Sequence, residues 1–252
     1  GQDDPFPAGA APGGRLVVVC RHAREKEVDR LLRIFAQYVY PKVEGATLTL
    51  VGDGPESDAL KDLAKELGID HRTHFVGEQG LQQMPAWYRH GDLFVYTSLS
   101  ETYGQVISEA LWCGIPVVAM DDGMGVAGQV TDGEDGFLVN PKAADADEEF
   151  GHRVELLLTK AALRKQMSAK AVSNAKDRSD PESCVQRYLE VFEIAKDHAT
   201  RTPQRSSLKA YSSLASWTGL HATVAAMGLM RKPVELNRNH AATGSWTFSP
   251  AT

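Results

Sequence analysis

Cysteine is scarce in this chain. Its 252 residues hold three, Cys20, Cys113 and Cys184, at no spacing that suggests a bridge or a metal site. Cys20 and Cys113 sit in apolar contexts and read as buried thiols, which favours a reducing compartment. An excess of positive charge is also missing. The formal net charge is −6, which argues against wholesale nucleic-acid binding. No internal repeat and no signal peptide is visible, and a cytoplasmic location is expected. Long hydrophobic runs are absent but for one stretch, residues 210–230, which carries no formal charge. It is long enough to cross a bilayer, but Ser, Thr, Gly and His dilute it, so a membrane span is not expected. The chain as a whole is 42% hydrophobic and 24% charged, an ordinary globular composition with ample material for one core.

The chemistry concentrates in Thr97–Pro116, TSLSETYGQVISEALWCGIP. Ahead of it, Asp92–Tyr96 is apolar enough for a short buried strand. A Ser/Thr loop follows, then a helical run from Tyr103 that Gly114 should stop. Ile115–Ala119 reads as the next buried strand, since Pro116 cannot continue a helix. Strand, loop, helix, strand is the unit of an open parallel sheet. The loop therefore sets a helix N-terminus at a strand's C-terminal edge, where free N–H groups and the helix dipole favour phosphate. Gly104 lacks a Cβ and admits a ligand close to the backbone. Glu101 precedes the helix and Glu109 lies about two turns along it. Two carboxylates are a poor surrounding for phosphate alone. They suit a ligand with hydroxyls on both sides of its phosphates, because a carboxylate accepts two hydrogen bonds from a vicinal diol. That order of groups is a nucleotide sugar. The plainer alternative for either Glu alone is a capping acid or a solvated helix side chain.

Glu101 and Glu109, with seven residues between them and Ala-Leu-Trp-Cys-Gly-Ile-Pro-Val-Val after them, resemble the E-x7-E signature of the retaining glycosyltransferases of family 4. The resemblance runs from about Arg15 to Ala199. It implies an α/β fold, a Rossmann-like parallel sheet flanked by helices, as the C-terminal, donor-binding half of a GT-B enzyme. It also implies transfer of a sugar from a UDP- or GDP-type donor with retention of configuration, without a metal or other cofactor. Arg21 and Lys26, in the basic loop after the first strand, match an Arg and a Lys that hold the donor diphosphate in that family. Their cations would stabilise the charge that develops on the leaving group. The same resemblance gives Glu101 the transferred sugar's hydroxyls and Glu109 the ribose, with backbone groups near Tyr103, Gly104 and Gln105 assisting at the phosphates. It places Gly52 and Gly54, in a Gly-Asp-Gly-Pro turn, close to the ligand, and packs the base against Val76 and Gly77 through their backbone groups. Gln129 stands where the family often has a Glu.

Other strands are expected at Arg15–Cys20, Ala46–Val51, Arg72–Val76 and at the end of Val130–Val139. Helices are expected from Val28 to Val39, Ser57 to Leu67, Leu81 to His90, Asp147 to Leu158, Ala161 to Asp177 and Pro181 to Lys196. Met120–Gly128 reads as a flexible Gly-rich segment. Asp121 and Asp122 within it do not make a metal site, because adjacent carboxylates point apart and no third ligand is spaced to help. Trp87 and Tyr88 read as packing residues rather than a base-stacking platform. His22 and Arg24 receive no role.

The expected organisation is a linker over residues 1–14, a nucleotide-sugar-binding domain over 15–199 and a basic tail over 200–252. From Lys196 onwards seven Lys and Arg face two acids. The tail either packs or stays mobile, or contacts anionic lipid or a partner at the membrane surface. The sequence reads as a piece of a larger enzyme or one subunit of a split one, with its acceptor domain or subunit elsewhere. A non-catalytic nucleotide-binding or partner-docking module is the alternative. A relative with epimerase or phosphorylase chemistry is a third reading.

Overall fold

The computed structural model describes residues 4–7 and 12–201; the expected basic tail lies outside them from residue 202 onwards. The chain divides into two compact units, Gly1–Gln186 and Arg187–Thr252. The first contains the whole sheet. Of the second, the described part is helical, the continuation to Arg201 of a helix that begins at Pro181.

Six strands build the sheet: β1 Arg15–Val19, β2 Thr47–Val51, β3 Thr73–Phe75, β4 Leu93–Tyr96, β5 Val117–Met120 and β6 Gly136–Val139. All pairs are parallel and the spatial order is β3-β2-β1-β4-β5-β6. After Arg15, β1 is an apolar run, as are β4 and β5, because helices cover both faces of a parallel sheet; β2 alternates Thr and Leu. Every residue of β2, β4 and β5 is buried.

The helices are α1 Val28–Ile34, α2 Ser57–Glu66, α3 Met84–His90, α4 Gln105–Trp112, α5 Gly125–Gln129, α6 Ala146–Thr159, α7 Ala161–Ser179 and α8 Pro181–Arg201. A π-helical turn, Phe35–Val39, prolongs α1. Gly68 after α2 and Gly114 after α4 adopt φ of 68° and 77°, the left-handed stop that glycine permits. Helix α7 packs on α4 and ties its end down: Ser168 Oγ donates to the Gly114 carbonyl at 2.6 Å. Arg178 reaches Asp135 Oδ2 at 2.8 Å, just ahead of β6.

The segment from Met120 to Gly128 departs from its expected flexibility, since part of it forms α5. Its order comes from Asp122, whose carboxylate accepts the N–H groups of Met124, Val126 and Ala127 at 2.8–3.3 Å. An aspartate ahead of the first turn satisfies helix donors that would otherwise lack a partner.

In the segment expected to be a linker, Phe6 lies 5.3 Å from the Trp87 ring and under the Arg15 guanidinium, and Asp4 pairs with Arg15 at 2.8 Å.

Candidate functional site

The strand order reverses between β1 and β4. From β1 the chain steps outward to β2 and β3, then returns past β1 to β4 and continues the other way. Loops leaving the C-terminal ends of the two strands flank the crevice where open α/β sheets take their ligands. Here those are the basic loop, residues 20–27, and the loop 97–104. They are stitched together. Thr97 Oγ1 donates to the Glu27 carbonyl at 2.9 Å, and Ser98 Oγ lies 3.3 Å from the Glu25 carbonyl oxygen. Glu27 itself has φ of 49°, the one non-glycine with positive φ among the described residues.

The centre of the junction is Glu101. Its Oε1 takes the Lys26 ammonium, the Tyr96 hydroxyl at 2.8 Å and the Ser98 hydroxyl at 3.0 Å. Oε2 receives no hydrogen bond from any described residue. Burial alone would raise this carboxyl, but the Lys26 cation and the two hydroxyls outweigh it and hold it below its ordinary value. Glu101 is thus an ionised acid clamped on one oxygen and open on the other. Arg21 is exposed, and its side chain makes no ion pair or hydrogen bond with a described residue.

Gly52 and Gly54 shape the other wall of the basic loop. A Cβ on Gly52 would stand 2.0 Å from the Cys20 carbonyl oxygen, and one on Gly54 2.3 Å from that of His22. His22 N–H donates to Asp53 O, and Glu56 N–H to His22 O, both at 3.0 Å. These glycines bring the β2 turn against the backbone of the basic loop, so close approach of protein to protein accounts for both. At the end of β3, Val76 N–H donates to Leu50 O, while its carbonyl accepts the Gln79 amide at 2.8 Å. The Gly77 carbonyl accepts Gly52 N–H at 2.9 Å. Part of the backbone capacity expected to meet a base is therefore spent inside the fold.

Helix α4 begins at Gln105 rather than at Tyr103, with Gly104 in the left-handed region (φ 74°) as its N-cap. No side chain caps this end and no acid lies in the first turn. The N–H groups of Gln105 and Val106 have no acceptor among the described residues, as suits an anion site. Below it, Gly125 fits beneath the loop because its Cβ would be 2.5 Å from Glu101 O. Asp122 Oδ2 accepts Glu101 N–H at 3.1 Å, and the buried Gln129 amide donates to the Tyr103 carbonyl at 3.1 Å. Helix α5 and its flanks are the bed on which residues 101–104 rest, and Gln129 belongs to that bed.

Glu109, just over one turn into α4, accepts the Tyr88 hydroxyl on Oε2 at 2.8 Å and the Gln105 amide on Oε1 at 3.2 Å. With Tyr103, Gln105, Met84, Pro85 and Tyr88 it lines a cavity of about 450 Å3 between α3 and α4. Tyr103 is 61% exposed at its mouth. A larger cavity of about 650 Å3 runs between α1 and α2, and none of Lys26, Glu101 or Glu109 lines it.

Each signature glutamate is thus held by a buried tyrosine, Tyr96 for Glu101 and Tyr88 for Glu109, with Phe94 packed 5.9 and 5.8 Å from their rings. In the sequence Tyr88 reads as packing and Tyr96 as the last residue of a buried strand. Their hydroxyls were the available signal, since a buried phenol needs an acceptor. In the sequence Asp122 reads as part of a flexible segment that makes no metal site; its place three residues ahead of α5 is the cap signal.

Comparison with known proteins decides the family. The family model for glycosyl transferases group 1 matches residues 9–174. The chain belongs to the group 1 glycosyl transferases. A D-inositol 3-phosphate glycosyltransferase of Rhodococcus jostii is 38% identical over 137 residues, 52% of this chain and 28% of that protein. Anabaena HepE, solved in complex with UDP and glucose, superposes with a TM-score of 0.62 at 26% identity, covering 74% of this chain and 50% of HepE. The C-terminal domain of LpcC, a group 1 glycosyl transferase of Francisella tularensis, superposes with a TM-score of 0.58 at 22% identity. That match covers 66% of this chain and 86% of the LpcC domain, so this group 1 chain has the C-terminal-domain fold of a GT-B enzyme. It spans less than half the length of the curated relatives it matches.

Proposed function

We propose that this domain binds the donor of a glycosyl transfer, a sugar linked to a nucleoside diphosphate, and stabilises the diphosphate as it leaves. The observation that carries this reading is the meeting of Lys26 and Glu101 where the strand order reverses, beside the uncapped start of α4. The pyrophosphate lies between the basic loop and that helix. Arg21 and Lys26 supply cations, and the N–H groups of Gln105 and Val106 supply donors. Preorganised charge of this kind acts where negative charge develops in the transition state. The nucleoside occupies the cavity between α3 and α4, with its ribose at Glu109 and its base towards Val76 and Gly77. Glu101 offers Oε2 to a hydroxyl of the transferred sugar and fixes its anomeric carbon.

The donor is of UDP type. HepE, 26% identical over most of this chain, is solved with UDP and glucose, which supports that choice. Transfer proceeds with retention of configuration. The acceptor hydroxyl attacks from the face the diphosphate leaves, passes its proton to the departing phosphate oxygen, and needs no protein nucleophile. The acceptor-binding part lies outside these residues, in keeping with the share of its relatives that the chain spans. By itself the domain therefore binds donor and does not turn it over.

Titration calorimetry with UDP and GDP tests the reading. UDP is expected to bind, and Arg21→Ala and Lys26→Ala are each expected to weaken it about tenfold or more. Failure of the intact chain to bind either nucleotide would sink the proposal. Unchanged affinity in both variants would remove the diphosphate from the basic loop.

A further inference from the structure

His22 sits inside the basic loop, between Arg21 and Lys26, and the reading above gives it nothing to do. Its ring is buried, with 1% of the residue exposed. Nδ1 lies 2.8 Å from Ser57 Oγ, at the start of α2. The Ser57 hydroxyl also contacts Asp53 Oδ1, and its oxygen accepts Gly54 N–H at 3.0 Å.

Counting protons fixes the rest. The hydrogen bonds from Ser57 and Gly54 keep the Asp53 carboxyl below its ordinary value, so it is an ionised acceptor. The single hydroxyl proton of Ser57 then goes to Asp53, leaving Oγ only lone pairs to offer. His22 must therefore donate from Nδ1, and its Nε2 carries a lone pair. Nε2 is buried without a partner among the described residues, which an unprotonated nitrogen tolerates far better than an N–H would. The edge of the imidazole meets Phe75 of β3, ring centres 6.1 Å apart.

We propose that His22 is a positioning residue for the diphosphate-holding loop: as the neutral Nδ1–H tautomer it locks that loop to Ser57 and Asp53, and protonation loosens it by placing a second N–H at Nε2, which is buried without an acceptor among the described residues. This rests on the nucleotide-binding reading above. The charged groups that act on the ring are Asp53, from the β2 turn, and Lys61, from α2; Asp53 favours the cation and Lys61 opposes it. Burial outweighs Asp53 and depresses the ring below its ordinary 6.5. The sign follows. A histidine whose folded value is depressed contributes its full hold above pH 6.5 and loses it as pH falls through the lower folded value. The loop is thus set at neutral pH and loosens as the pH falls below 6.5 and the ring takes up a proton.

Three proteins and two readouts test this: the wild-type chain, His22→Asn and His22→Leu. Asparagine keeps an N–H donor near the Nδ1 position and cannot take a proton, whereas leucine keeps bulk and removes the donor. A long-range proton–nitrogen spectrum of the wild type at about pH 7.5 reads the tautomer directly, and Nδ1–H is expected for His22. An Nε2–H tautomer overturns the proposal without reference to any nucleotide. Calorimetry with UDP and GDP at about pH 7.5 and about pH 5.5 gives the second readout. His22→Leu is expected to bind about tenfold more weakly than wild type at the higher pH, with His22→Asn within about threefold. Between the two pH values the wild type should lose affinity by a larger factor than His22→Asn. Protonation of the nucleotide's own phosphate is common to both and cancels in that comparison. Equal pH dependence in the two proteins, or His22→Leu binding like wild type, overturns the assignment of His22 alone. No binding by the wild type overturns it together with the nucleotide reading. If His22→Leu does not fold, the tautomer and the His22→Asn comparison still decide.

Discussion

Lys26 Nζ meets Glu101 Oε1 across the gap between β1 and β4, although 75 residues separate them in sequence. Each sits in the loop that follows a strand, Lys26 after β1 and Glu101 after β4, and each side chain is less than one-fifth exposed. The contact therefore reports on the junction of the two loops, and a cation and an acid with different proposed tasks are coupled before any ligand arrives. An ammonium has three protons, and Glu101 needs only one of them, which leaves Lys26 donors for a phosphate oxygen.

Removing Lys26 should be costly because it strands a largely buried carboxylate. Lys26→Ala is expected to destabilise the domain by about 3 kcal/mol, and Lys26→Ala with Glu101→Gln to recover more than half of that loss. Urea denaturation of the two single variants, the double variant and the wild type measures the coupling. A cost below about 0.5 kcal/mol for Lys26→Ala would mean that solvent screens the pair as it does on an open surface.

The same pair shapes the response to acid. The Glu101 carboxyl is held below its ordinary 4.5, so its contribution is complete above pH 4.5 and is lost as pH falls through the lower folded value. Glu101→Gln is expected to flatten this part of the stability profile, read as the denaturation midpoint between about pH 5 and about pH 2.5. An acid limb as steep in Glu101→Gln as in wild type would show that other carboxylates govern it.

Tyr96 donates to the oxygen of Glu101 that Lys26 also holds, and the other oxygen has no hydrogen-bond partner among the described residues. Tyr96→Phe removes that donor and keeps the packing on Phe94. A loss of about 1 kcal/mol in stability is expected, with UDP affinity within about threefold of wild type, because Glu101 faces the sugar rather than the nucleotide. A tenfold loss of UDP affinity in Tyr96→Phe would place Glu101 at the phosphates instead.

Some of this was legible in the sequence for a physical reason. A parallel sheet covered on both faces selects continuous apolar strands, so Arg15–Val19, Leu93–Tyr96 and Val117–Met120 announce themselves. Glycine after a helix is a local signal, and Gly68 and Gly114 adopt the conformation it permits. The reversal of strand order is global, yet the side-by-side placement of the basic loop and Thr97–Gly104 follows from strand–loop–helix units at its two sides. Helix α5 was not legible. Five residues with two glycines have no helical tendency of their own, and the bonds that order them come from Asp122 and from the loop above. The clamping of Glu101 and Glu109 by Tyr96 and Tyr88 was hidden too, because a phenol in an apolar run reads as core until its hydroxyl's partner is seen.

The Gly52 and Gly54 turn separates two explanations of a glycine. If these residues served only to admit a ligand, alanine would be tolerated in the unbound protein. In the structure each added Cβ would stand within 2.3 Å of a carbonyl oxygen of the basic loop, a contact that backbone must move to relieve. Gly52→Ala and Gly54→Ala are each expected to cost at least about 2 kcal/mol without any nucleotide present. Gly45→Ala is the control, because its φ of 81° is also left-handed but nothing lies within 4 Å of the added Cβ. It should cost about 1 kcal/mol, from conformation alone. Thermal or urea unfolding of the three variants tests this, and equal losses at Gly45 and Gly52 would contradict the steric account.

Asp122 joins two parts of the proposed site that the sequence leaves separate. Its carboxylate accepts the N–H groups at the start of α5 and the N–H of Glu101. Burial would raise its carboxyl, but these four backbone donors outweigh that and keep it ionised. Asp122→Ala leaves several of those donors unsatisfied at once and should cost about 2–4 kcal/mol. Asp122→Asn keeps one acceptor oxygen in place and should cost about 1 kcal/mol. The effect on ligand binding should run in parallel, because the Glu101–Gly104 segment rests on α5. Asp122→Ala is expected to weaken UDP binding although the residue touches no part of the proposed nucleotide, and Asp122→Asn to restore most of it. Denaturation and calorimetry on the same preparations check both. An Asp122→Ala variant that loses stability but binds UDP as wild type would show that the helix α4 entrance holds its shape without α5.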